Sequence, residues 1–186
     1  TDGCAKLLNN FGSEALKAKY LDGLTQTDMS RLTQGGQFMT EKEGGSDVGT
    51  LTTRAVQEGD HWRLYGEKWF CSNADAKVVM LLARPEGAGP GTKGVGLFLM
   101  PRFLDDGSQN HYRIVRLKDK LGDWSNASSE VEFHGAWAVR VGEEGRGIAT
   151  ILEMVSLTRL DCMIGSSALM RQAAVQALHH AATRKA

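Results

Sequence analysis

Apolar residues near the start of the chain recur at helical spacing. Leu7, Leu8, Phe11, Ala15 and Leu16 share one face and predict a helix over residues 5–19. Gly23, Thr25 and Asp28 end that pattern. Beyond Gly35 the period shortens, and most of the chain's 22 glycines lie between there and Gly147. Short apolar runs follow at 37–40, 51–56, 61–65, 68–71, 78–83, 95–100, 112–116 and 129–133, several of them alternating. Turn chemistry separates them, as at Glu58-Gly59-Asp60 and Asp105-Asp106-Gly107. Such spacing predicts a mainly β fold with flanking helices, the β part being a small antiparallel barrel or sandwich. The Gly/Pro-rich stretch 85–96 reads as a loop.

After Gly147 the pattern is helical to the end of the chain. Ile148, Leu152, Val155, Cys162, Ser166 and Ala173 fall on one stripe, with Arg159 near its centre. That run exceeds the usual globular helix, which predicts continuation into a helical bundle. Three units are therefore expected: the end of a helical domain over 1–34, a β-domain over 35–144, and the first helix of a second helical domain over 145–186. The absence of an initiator Met and the helical ending at His179-His180 both read as cuts in a longer protein.

Composition narrows the function classes. Apolar residues make up 41% and charged residues 24% of 186, values that suit a globular domain and argue against disorder. Lys+Arg and Asp+Glu are 22 each, so no basic excess points to nucleic acid or to an anionic membrane. No apolar run approaches the roughly 20 residues that span a bilayer. Cys4, Cys71 and Cys162 form no Cys-x-x-Cys pair, which predicts buried or semi-buried free thiols in a reducing, intracellular setting.

Two segments carry candidate chemistry. In Phe38-Met-Thr-Glu-Lys-Glu-Gly-Gly-Ser-Asp47 a strand feeds a turn with adjacent glycines, whose amides can converge on an anion while Ser46 adds a hydroxyl. The same residues also make an ordinary polar turn. In Gly66-Glu-Lys-Trp-Phe-Cys-Ser-Asn73, Trp69 and Phe70 alternate across a strand. Either both are core, or one packs on a flat ring whose polar edge Ser72 can reach. Arg159 on its apolar stripe must snorkel, pair with an acid or meet a ligand anion. Gly142-Glu-Glu-Gly-Arg-Gly147 lacks the Gly-x-Gly-x-x-Gly spacing and the βαβ context of a dinucleotide site, and reads as a helix entry. His179 and His180 share no helical face, so no metal site is expected. Ser46 has no local base that would make it a nucleophile.

Taken together, Thr-Glu-x-x-Gly-Gly-Ser-Asp at 40–47 and Gly-x-Lys-x-Phe-x-Ser-Asn at 66–73 resemble the middle β-domain of the acyl-CoA dehydrogenase superfamily. Arg116-Leu-Lys-Asp-Lys-Leu-Gly122, Ser128-Ser-Glu-Val-Glu-Phe133 and the helix entry at 142–147 agree, so the resemblance covers about 35–186. Its details look most like the alkylation-response (AidB-like) branch. The resemblance implies FAD lined by Met39, Thr40, Gly45, Ser46, Phe70, Cys71 and Ser72. Ser46 and Arg159 would lie near an acyl-CoA substrate. Lys42 and Gly44 depart from the family's usual Pro and Ala, and Phe70 stands where an indole is usual.

The resemblance further implies α,β-dehydrogenation of an acyl thioester. It also implies a homo-oligomer (tetramer or dimer), an electron-transfer flavoprotein or other acceptor, and a mitochondrial or bacterial cytoplasmic location. The reaction needs a carboxylate base. No acid occupies the family's helical position near Thr158–Arg159, so no catalytic residue is assigned and the chain is expected to be inactive alone. Two other readings stay open: a flavin-binding damage-response protein with little dehydrogenase activity, and a scaffold that retains no ligand.

Overall fold

A computed structural model describes residues 1–185. Ala186, the last residue of the expected third unit, lies outside the described residues. Two short helices, α1 (Asp2–Phe11) and α2 (Glu14–Leu24), precede seven strands: β1 (Gly35–Phe38), β2 (Arg54–Glu58), β3 (His61–Cys71), β4 (Val78–Pro85), β5 (Gly96–Pro101), β6 (Tyr112–Leu117) and β7 (Ser129–Val141). A long helix, α3 (Gly147–Thr183), follows. The single helix expected over 5–19 is two. Gly12 closes α1 by donating its amide to Leu8 O at 2.9 Å, and the Ser13 hydroxyl accepts from Leu16 N at 3.3 Å as the cap of α2. A hydroxyl followed by an acid is a helix start, and it outweighs the continuous apolar face.

Five strands close into a barrel in the order β4-β2-β3-β7-β5 and back to β4. Most pairings are antiparallel, as the alternation predicts; β1 and β2 meet β4 in parallel, one along each half of its edge. β6 lies outside the ring and pairs with β7. Inside the barrel are Phe38, Leu64, Val79, Leu81, Phe98, Met100, Val131 and Phe133, among others. The opposite faces of β4 and β5 (Val78, Met80, Leu82, Leu97, Leu99) pack on Leu7 and Leu8 of α1 and on Ile151 and Met154 of α3. Both faces of these two strands are buried, which is why 78–83 and 95–100 are continuous apolar runs and not alternating ones.

The long helix is fixed to the barrel by its first two turns. Gly147 donates to Val95 O at 3.2 Å. A Cβ at that position would lie 2.5 Å from Val95 O and 2.7 Å from Leu97 N, so only glycine lets the helix start this close to β5. The packed residues are Gly147, Thr150, Ile151 and Met154. That face corrects the stripe expected from Ile148 through Ala173: Leu152 and Cys162 are exposed, and Ile148 and Val155 are half-buried. Apolar residues surround α3 on all sides, so sequence spacing does not single out one face. Cys162 thus departs from the expected buried thiols, whereas Cys4 and Cys71 are buried. Burial pushes the Cys4 thiol up to about 11 and the Cys71 thiol up to about 12. Among the described residues no helix is long and apolar enough to cross a membrane, and no group of metal-ligating side chains gathers.

Candidate functional site

The two sequence segments meet at one end of the barrel. After β1 the chain runs through Met39 and Thr40 into a tight turn, in which Glu41 and Gly44 exchange backbone hydrogen bonds of 3.2 and 3.1 Å. Lys42 and Glu43 form its exposed tip. Gly45 and Ser46 follow, also exposed, and a Cβ added at Gly45 would come within 3.0 Å of the Thr40 hydroxyl. Asp47 ends the segment by accepting from Gly49 N at 2.9 Å as the cap of a short 3-10 turn, Val48–Thr50. Arg84 secures that turn from β4 by donating to Gly49 O at 2.6 Å. On the other side, Trp69 N donates to Thr40 O at 2.8 Å, which sets the Met39–Thr40 backbone beside Trp69–Phe70.

Beneath this junction lies an ion pair absent from the residues expected at the site. Lys68 is wholly buried and its Nζ is 2.7 Å from Glu41 Oε1; Glu41 is 4% exposed. The Glu41 carboxylate also accepts from Thr52 N (2.6 Å), Thr52 Oγ1 (2.8 Å), Thr53 N (3.1 Å) and Thr53 Oγ1 (2.5 Å). Lys68 Nζ donates further to Met39 O at 3.2 Å. Each buried side-chain nitrogen and oxygen of the pair thereby has at least one hydrogen-bond partner, which a buried charge requires. Strand alternation places Lys68 on the same side of β3 as the buried Leu64, four residues earlier. Glu41 carries no such signal: it sits in a turn, where acids are common.

Burial by itself would push the Glu41 carboxyl up. The Lys68 ammonium and the Thr53 and Thr52 donors reverse that push and hold its pKa at about 2. Burial pushes the Lys68 ammonium down, and Glu41 opposes this. Glu41 therefore contributes stability that is complete above its ordinary value of 4.5 and is lost as pH falls toward about 2. Urea midpoints measured at pH 7, 5 and 3 should fall most steeply between the last two. In a Glu41→Gln variant that fall should be visibly shallower; an unchanged slope would assign acid lability to other groups.

Strand alternation predicts Trp69 and Phe70 on opposite faces, but β3 bulges here. Lys68 pairs with Val131 and Cys71 with Ser129, so β3 spends three residues where β7 spends two. The extra residue brings both rings to the same cation: Lys118 Nζ lies 3.3 Å from the Trp69 centroid and 4.4 Å from that of Phe70. Trp69 is half-buried and also faces Lys42 and Arg116 at 5.4 and 5.8 Å. Phe70 is 53% exposed and presents an open ring. Lys118 and Arg116 both reach Glu130, at 2.9 and 2.7 Å. Against the upward push of burial, their hydrogen bonds hold the Glu130 carboxyl below the usual range.

The structure thus gathers Met39, Thr40, Gly45 and Ser46 on one segment and Phe70, Cys71 and Ser72 on its neighbour. Ser72 is exposed; the Cys71 side chain points into the barrel core, so only its backbone faces this region. Arg159 is not among them. It lies on an exposed stretch of α3, away from the helix face that packs on the barrel, and the apolar stripe that singled it out is not the packed one. An open aromatic face beside hydroxyl-bearing residues and an exposed Gly-Gly-Ser turn fits a planar heteroaromatic group with a polar edge.

Residues 36–136 match the family model described as the middle domain of acyl-CoA dehydrogenase. The chain is 49% identical over 150 residues to the putative acyl-CoA dehydrogenase AidB of Escherichia coli (strain K12), across 80% of this chain and 27% of that protein. It is 41% identical over 181 residues to acyl-CoA dehydrogenase family member 11 of Caenorhabditis elegans, across 92% of this chain and 29% of that one. Among solved structures, a glutaryl-coenzyme A dehydrogenase in complex with glutaryl-CoA superposes with a TM-score of 0.85 at 28% identity, across 99% of this chain and 45% of that one. The chain spans little more than a quarter of the length of the first two relatives.

Proposed function

This chain belongs to the acyl-CoA dehydrogenase family, and from that membership we propose that it forms the flavin shelf of an oxidoreductase acting on acyl-CoA thioesters. The observation that carries the reading is the junction of two segments at one surface. The exposed Phe70 ring stands beside a backbone fixed by the Trp69-to-Thr40 hydrogen bond, with the Thr40 and Ser72 hydroxyls on the same two segments. FAD, when bound, supplies the acceptor for the hydride leaving the β-carbon of the thioester. The chain's own residues bind and orient. Phe70 offers a stacking face, Thr40 and Ser72 offer hydroxyls to the polar edge of the ring, and Gly45 and Ser46 offer exposed amides to an anionic group.

In this reading residues 35–144 are the middle domain, 1–34 close a helical domain and 145–186 open another. Neither Thr158 nor Arg159 is an acid, and Asp161 points about 200° away from Arg159 around the helix. In this reading the base that removes the α-proton therefore comes from a part of the protein outside this chain, and the chain alone is inactive. Ser46 contacts the acyl-CoA side of the site. The homo-oligomer and the electron-transfer flavoprotein partner belong to the same reading. A second reading shares the same shelf: a flavin-binding damage-response protein with little dehydrogenase activity.

The test uses the whole protein that carries this chain. FAD should quench on binding, and Phe70→Ala should weaken that binding about tenfold, or ~1.4 kcal/mol, in line with the loss of an aromatic stacking contact. Equal affinity in wild type and variant would remove Phe70 from the shelf. Anaerobic mixing with a panel of acyl-CoAs then separates the two readings: bleaching of the flavin supports the dehydrogenase, and no bleaching at any chain length supports the second.

A further inference from the structure

We propose that Lys68 is a positioning residue for the flavin, acting through the carbonyl of Met39 and the carboxylate of Glu41 to fix the Met39–Thr40 backbone relative to Phe70. The proposal rests on the flavin reading above and adds a residue pair to it. Its basis is where the ammonium's hydrogen bonds go. Both acceptors of Lys68 Nζ, Glu41 Oε1 at 2.7 Å and Met39 O at 3.2 Å, belong to the segment that carries Met39 and Thr40. Lys68 itself belongs to the segment that carries Phe70, and the next residue returns a third bond, Trp69 N to Thr40 O. Glu41 then ties in a third segment through the amides and hydroxyls of Thr52 and Thr53. Thr53 Oγ1, whose proton goes to Glu41, also lies 3.1 Å from Glu67 O on the strand that carries Lys68.

Stability alone does not explain such a cluster. An apolar pair of similar volume fills a buried site as well as an ion pair does, often better, because neither partner has to be taken out of water. What an apolar pair cannot do is give the Met39 carbonyl a donor or set the register between two non-adjacent segments. The bulge at Trp69–Phe70 raises the need for that register, since a bulged strand is not aligned by its ladder at that point. A directional, doubly anchored ammonium one residue before the bulge supplies it.

The experiment compares Lys68→Met with Lys68→Met/Glu41→Gln in the whole protein, alongside Leu82→Ala, a buried residue on the helix-facing side of β4. The single variant leaves a carboxylate buried without its partner, so its urea midpoint should drop markedly. The neutral double variant should regain most of that midpoint. FAD should nevertheless bind it at least tenfold more weakly than wild type, and the long-wavelength band of its bound flavin should lose its resolved shoulders. Leu82→Ala should lower the midpoint and leave flavin affinity and band shape as in wild type.

A double variant with wild-type affinity and band shape would overturn the proposal and leave the pair purely structural. So would a double variant that regains no stability, or a Leu82→Ala protein that loses flavin to the same degree. If the wild-type protein itself takes up no FAD, the flavin reading fails first and this proposal falls with it. The wild-type arm therefore separates the two failures.

Discussion

Replacing Glu41 by alanine should destabilise the fold by about 3–5 kcal/mol, the range seen when one partner of a buried ion pair is removed. The loss has two sources. Lys68, with none of its surface exposed, would keep a charge with only the Met39 carbonyl to meet it. The Thr52 and Thr53 amides and hydroxyls would lose their common acceptor. Urea denaturation at neutral pH measures the cost directly. Glu41→Gln should lose much less, because an amide oxygen can still accept from the threonines. A cost below about 1 kcal/mol for alanine would mean that water reaches Lys68 and that the pair behaves like a surface contact.

Phe98→Ala should cost a similar amount, about 3–5 kcal/mol, by a different mechanism. Phe98 is fully buried in the barrel, where its ring meets Trp62 edge-on at 5.3 Å and 64°. It also lies over Gly96, so no nearby side chain on its own strand can swing in to fill the space: a Cβ at Gly96 would be 2.9 Å from the ring. The cavity would therefore stay largely open. The midpoint of urea unfolding should fall with little change in slope. Leu178→Ala on the exposed part of α3 should move the same midpoint by no more than about 0.5 kcal/mol. A small Phe98 effect would show that the barrel collapses around the missing ring.

Where the sequence was legible, one physical rule governed the segment. The runs at 78–83 and 95–100 are apolar without interruption because the barrel covers one face and the helices the other, and both emerge as β4 and β5. The resemblance of two motifs, not periodicity, singles out Met39, Thr40, Gly45, Ser46, Phe70 and Ser72, which lie on two segments joined by the Trp69-to-Thr40 hydrogen bond. Legibility failed where two rules compete. The runs 61–65 and 68–71 looked like separate strands, since Gly66 lies between them. The glycine is instead the middle of β3, where φ is +134° and an added Cβ would come within 2.8 Å of Thr53 Cα, so the position suits glycine without ending the strand. β7 was expected to end at Phe133, yet it passes through Gly135 and on to Val141, gaining the pairs that close the barrel onto β5. Alternation placed Trp69 and Phe70 on opposite faces, and one bulge undid it. The Lys68–Glu41 pair has no local signature, because it joins residues 27 apart in the chain.

Closure of the ring leaves β6 as an edge strand on the outside, and that position has a consequence for solubility. Its residues Ile114, Val115 and Leu117 are exposed and of the kind that pairs readily with a like strand from another molecule. Arg113 and Arg116 interrupt the run, and Lys118 follows it. The two arginines are pinned to Glu132 and Glu130 on β7, so their charges stay over the strand. These cations act as gatekeepers against edge-to-edge aggregation. The segment that borders the aromatic pair is thus also the one where a charge-removing substitution would first make the protein sticky.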